Sequence, residues 1–130
     1  VSAQNNSTSY SSVEKWYRDN IEGGEIRVHL KITKKQNDTM DIIFTKTMTP
    51  FSQVIHAGAI AKYSDGYYRF EFIDNWGNKA FGNFKINGDE IKLLIDCDEF
   101  SDNGKNIARL YGSSHTLKLV KSVDAKHQIK

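Results

Sequence analysis

Residues 79–97 constrain this chain most. They read as two β-strands meeting at Asn87-Gly88. Ala80, Gly82, Phe84 and Ile86 fall on one face of the first strand, and Ile91, Leu93, Ile95 and Cys97 on one face of the second. Asn-Gly between alternating apolar runs predicts a tight hairpin, because a type I′ turn needs positive φ at both central residues.

The same period-two pattern covers most of the chain. Ile26, Val28, Leu30 and Ile32 alternate with Arg27, His29 and Lys31, which predicts a half-buried strand. Met40, Ile42 and Phe44 continue it after a turn over 34–38. Residues 47–51, with the only proline (Pro50), form a longer connection. Residues 53–63 place Ile55, Ala57, Ala59, Ala61 and Tyr63 on one parity, with Gly58 marking a bulge. Tyr67 to Ile73 is aromatic on both faces. A loop, Asp74-Asn75-Trp76-Gly77-Asn78, then leads into the opening hairpin. Beyond an acidic loop over 98–104, residues 107–111 read as a short strand and 115–120 as the last one.

The start of the chain breaks the pattern. Residues 1–10 are rich in Ser, Asn and Thr and read as a loose tail, as does the basic stretch 122–130, leaving one domain over 11–121. Ser11 and Glu14 have capping-box spacing. Val13, Trp16, Tyr17 and Ile21 then recur at helical spacing, and Gly23-Gly24 ends the run. One short N-terminal α-helix is expected, too short to stand undocked.

About eight antiparallel strands in a meander hide their edges best as a small closed or partly open barrel. Alternate connections of a meander share an end. The connections near 36, 65, 87 and 113 are expected at one end. Those over 47–52, 74–78 and 98–105 are expected at the other, together with the helix. Phe51, Trp76, Phe100, Trp16 and Tyr17 should therefore gather around one mouth, with Asn75 and Asp98 on its loops. Loops on a rigid scaffold carry binding residues, and Trp is a preferred anchor, so Trp76 stands out.

Composition and motifs exclude several other classes. A net charge of +2 with interspersed signs gives no phosphate-binding stripe, so nucleic acid is not an expected partner. No apolar run reaches the ~18 residues of a membrane helix. Asp96, Asp98, Glu99, Asp102 and Asn103 form an oxygen-rich loop, but without the ligand order or Gly position of a calcium loop it reads as solvated. His29, His56, His115 and His127 lack zinc spacing. The single cysteine, Cys97, faces inward by parity, where a thiol acts as a small hydrophobe. No nucleophile elbow or phosphate loop is present, so no catalytic residue, metal or cofactor is expected. Arg69 and Arg109 are candidate cations for an anionic ligand, with Arg69 more readily paired to Glu71.

Val1-Ser2-Ala3 before Gln4 looks like the end of a secretory cleavage site, which points to an exported protein. The one-helix, eight-strand meander resembles lipocalin-like small barrels in outline, though Glu14 stands where the lipocalin Gly-x-Trp motif would put glycine before Trp16. The resemblance implies a barrel holding a small molecule. The expected function is therefore non-catalytic binding of a small apolar or amphipathic ligand at the barrel mouth, by a monomer outside the cytoplasm. The alternative is a protein-binding inhibitor or immunity protein that blocks an enzyme through its loops.

Overall fold

In the computed structural model, which describes residues 7–120, eight strands follow one another around a closed antiparallel barrel. They are β1 (Ser7–Arg18), β2 (Ile21–Lys34), β3 (Thr39–Met48), β4 (Gln53–Ser64), β5 (Tyr67–Ile73), β6 (Lys79–Asn87), β7 (Glu90–Glu99) and β8 (Ser113–Leu119). Among the described residues the one helix is a 3-10 helix, Gly104–Leu110, between β7 and β8.

The alternation works as the pattern requires. Val28, Leu30 and Ile32 of β2, Met40, Ile42 and Phe44 of β3, and Ile91, Leu93 and Ile95 of β7 are buried, while their sequence neighbours face outward. Phe44 and Phe84 meet the rings of Phe70 and Phe72 or Tyr68 across the interior at centroid distances of 4.9 to 6.1 Å. Leu30, Phe44, Phe84 and Leu117 have no exposure, so side chains fill the barrel.

The expected N-terminal helix is instead β1. It pairs with β2 from Ser7↔Thr33 to Arg18↔Ile21. The helical spacing of Val13, Trp16, Tyr17 and Ile21 is real in the sequence, but the segment is Ser-rich, aromatic and short, a weak helix former. Pairing with the long edge of β2 overrides that weak preference. The tail reading covered residues 1–10; residues 7–10 lie in β1, whereas residues 1–6 and 121–130, including Val1 to Ala3 and the basic stretch, lie outside the described residues.

Three smaller differences follow, the last two because register is not visible in a single strand. Residues 107–110 belong to the 3-10 helix, with Tyr111 as its C-cap: Ile107 and Leu110, three apart, are both buried, so the period that mattered was three and not two. The β6–β7 register pairs Asn87 with Glu90, making Gly88 and Asp89 the central turn residues. Only Gly88 has positive φ, +65°, which is the type II′ arrangement and not I′. Gly58 sits in unbroken register opposite Ile43, with no bulge.

The barrel wall is uneven. The β4–β5 ladder has three register pairs, ending at Lys62↔Arg69, and β1–β8 has two, Tyr10↔Leu119 and Ser11↔Lys118. The remaining ladders are long. The wall is thus two four-stranded sheets, β1–β4 and β5–β8, joined along two seams. Both seams are laddered at the end carrying the Asp65-Gly66 turn, and both ladders stop short of the end carrying residues 49–52 and 74–78. Side chains stitch the open lengths. Asn75 accepts from the His56 N–H at 2.8 Å and donates to the Val54 carbonyl at 3.1 Å, taking the place of a strand neighbour. At the other seam His115 Nδ1 lies 3.2 Å from Glu14 Oε1.

Candidate functional site

The open-seam end is plugged by the 3-10 helix. Ile107 and Leu110 have no exposure there and fill the mouth. Both sheets hold the plug. Lys46 Nζ of β3 donates to the Leu110 carbonyl at 2.5 Å, and Gln53 Nε2 of β4 donates to the Asn106 carbonyl at 2.9 Å. From the second sheet, Asn78 Nδ2 donates to the Gly104 carbonyl at 3.3 Å.

Asp74 organises that second side. It is 5% exposed, and its carboxylate accepts from the Trp76 and Asn78 backbone N–H groups, from Asn78 Nδ2, and from the Tyr111 hydroxyl at 2.5 Å. Burial and the adjacent Asp74 carboxylate push the Tyr111 hydroxyl pKa far up, so it stays a donor. Ser101 joins in, donating to the Trp76 carbonyl at 2.6 Å and accepting from the Gly104 N–H at 2.9 Å. Trp76 donates its ring N–H to the Val54 carbonyl at 2.9 Å and packs half-buried against the core. Trp76 and Asn75 are therefore struts across the β4–β5 seam. Phe100 is half-buried against Tyr111, at a centroid distance of 6.0 Å.

Lys46 is buried, with Glu14 and His115 as its charged or titratable neighbours. Burial lowers its pKa from the usual 10.5 to about 8, against a smaller upward pull from Glu14. His115 beside it is also lowered, first by burial and then by the Lys46 ammonium, with Glu14 opposing.

Past the plug, the β1–β2 hairpin outruns its neighbours. β2 pairs with β3 only from Ile26 onward, and β1 with β8 only at Tyr10 and Ser11. What remains is a two-stranded ribbon ending in Asp19-Asn20, both at positive φ (54° and 68°), the type I′ turn whose twist matches the strands. Tyr17 and Ile21 near its tip are 60% and 71% exposed.

The base of the ribbon is braced. A register shift between Trp16 and Tyr17 re-aims the strand. The Trp16 ring lies over Gly23, where any Cβ would fall 2.2 Å from a ring carbon. Its ring N–H donates to the Thr49 carbonyl at 2.8 Å. A Cβ on Gly24 would fall 2.0 Å from that same carbonyl oxygen. Gly23-Gly24 thus seats the Trp16 ring and the 49–52 loop where a helix end was expected. Phe51 stacks on Trp16 at 5.6 Å, 44% exposed, with the Arg109 guanidinium 4.5 Å over its ring.

The sequence-derived residues thus divide. Trp16, Phe51 and Tyr17 come together at the ribbon, whereas Trp76 and Asn75 bridge the β4–β5 seam and Phe100 packs against Tyr111 beside the plug. Asp98 lies apart on the outer wall, in a cleft of about 960 Å³ shared with Ile60, Arg69, Glu71 and Phe81. Ile21 was expected on a buried helix face, and its exposure follows only from the ribbon register. Among the described residues no group of three metal-ligating side chains converges, and no helix is long and apolar enough to cross a membrane.

Comparison with protein families, curated proteins and solved structures finds no match to this chain.

Proposed function

We propose that this chain is a non-catalytic protein-binding module of the inhibitor or adaptor kind, acting outside the cytoplasm. It engages its partner with the β1–β2 ribbon and the adjoining Phe51. The observation that carries the reading is a plugged, filled barrel from which a braced ribbon projects with Tyr17 and Ile21 uncovered. Aromatic residues and Arg dominate the binding energy of protein interfaces, and a braced anchor loses little further entropy on binding. The finer lipocalin-like reading, a small apolar ligand in the mouth, has less support. The space such a ligand would take is occupied by Ile107 and Leu110.

The test is co-purification from the native source with affinity-tagged wild type and a Tyr17→Ala/Phe51→Ala double variant. A stoichiometric protein partner is expected with wild type. The double variant should lose it, weakening binding by more than about tenfold because two exposed aromatic anchors are removed. Its unfolding midpoint should stay close to wild type, since neither side chain belongs to the core. A partner retained by the double variant would refute the assignment.

A further inference from the structure

We propose that the partner meets this end with a carboxylate set beside an apolar side chain, with Arg109 taking the carboxylate and Phe51 the apolar group. This rests on the protein-binding reading above and names the chemistry of the partner.

Arg109 is exposed on the 3-10 helix, and its guanidinium carbon sits 4.5 Å from the Phe51 ring centroid. Stacking restricts the side chain before any partner arrives, and the planar fork keeps its N–H donors in the geometry a carboxylate accepts in pairs. Among the described residues Arg109 makes no ion pair. The nearby acidic side chains of the ribbon are already engaged: Glu22 with Lys15 at 3.4 Å, and Glu25 with Arg27 at 2.8 Å. Lys105, on the same helix, is also exposed and outside any ion pair among those residues. Asp19 and Asp102 stand on neighbouring turns, so the end is not uniformly basic. The carboxylate is therefore recognised by contact at Arg109, not by a long-range field. The exposed part of Phe51 beside the guanidinium fixes the second requirement, an apolar group next to the acid.

The probe is a display library of random, unphosphorylated peptides selected against the full chain. Recovered binders should carry Asp or Glu within a position or two of an aromatic or aliphatic residue. Arg109→Gln should weaken them by about tenfold or more, since it removes both charge and fork. Arg109→Lys should fall between Gln and wild type, because charge remains and the fork does not. Unchanged unfolding midpoints for the Arg109 variants establish that the fold is intact. Peptides that bind Arg109→Gln as well as wild type but fail on Phe51→Ala would overturn the carboxylate and leave the protein-binding reading standing. Peptides indifferent to both positions, or a selection yielding none sensitive to either, would overturn both.

Discussion

Asp74→Ala is expected to destabilise the protein by about 3–5 kcal/mol, the range for breaking a buried, hydrogen-bonded charge network. One carboxylate here satisfies four donors from three residues. Removing it strands the Trp76 and Asn78 N–H groups and the Tyr111 hydroxyl in a site that is 5% exposed at Asp74 and fully buried at Asn78. The consequence spreads because Asn78 also holds Ser101 and Gly104, and through them the start of the plug. Urea unfolding at neutral pH reads the loss as a lower midpoint. Tyr111→Phe, which deletes one donor and leaves the carboxylate its other three, should cost only about 1–2 kcal/mol. An Asp74→Ala loss below that of Tyr111→Phe would mean the network does not hold the plug.

The second large effect is electrostatic. Lys46 releases its proton near pH 8 in the folded protein and near 10.5 when unfolded. Between those values the unfolded chain binds more protons, so stability rises with pH. From pH 8 to pH 10 the Lys46 contribution alone rises by about 2 kcal/mol. Above pH 10 the trend turns over. Cys97, Tyr10, Tyr68 and Tyr111 have raised pKa values and stay protonated in the fold after the unfolded chain has lost those protons, so Cys97 already opposes the Lys46 rise below pH 10. Lys46→Met should abolish the rise between pH 8 and 10 while keeping the alkaline fall. Denaturation midpoints of wild type and Lys46→Met across that range measure it, and a difference between the two that stays constant from pH 8 to 10 would contradict a buried Lys46 ammonium.

Most of the wall was legible because the inward positions of β2, β3, β6 and β7 are mostly apolar, Lys46 excepted, while most outward ones are polar. A sheet with one wet face produces that alternation directly. β1 was not legible, because its inward positions beside the open seam include Ser12 and Glu14, leaving helical spacing as the stronger local signal. The 3-10 plug read as a strand because residues 107–111 are a short, mostly apolar run, and a run that short carries no period that separates strand from helix. These two errors compensate in number: eight strands stand, with β1 in place of the supposed strand at 107–111. Phe51, Trp76, Phe100, Trp16 and Tyr17 consequently do lie toward the same end. Gly112, expected with the compact turns, sits at that end instead, closing the single long connection from β7 to β8.

The site was half legible. Phe51 and Trp16 could be placed together by counting connections. Their contact, the projection of Tyr17 and Ile21, and the Arg109 stack depend on ladder lengths that only pairing partners determine. Trp76 shows the reverse. A tryptophan on a hairpin loop suggests an anchor, but the early end of the β4–β5 ladder gives its ring N–H a carbonyl to satisfy at Val54.

The most direct test of the central claim, that this barrel binds a protein and not an enclosed small molecule, is native mass spectrometry of the chain gently purified from its own source. The account predicts a complex with a second polypeptide at fixed stoichiometry, and a free chain that carries no non-covalent small-molecule adduct. A free chain carrying a non-covalent adduct of small-molecule mass, released on denaturation, would contradict it and return attention to the barrel interior.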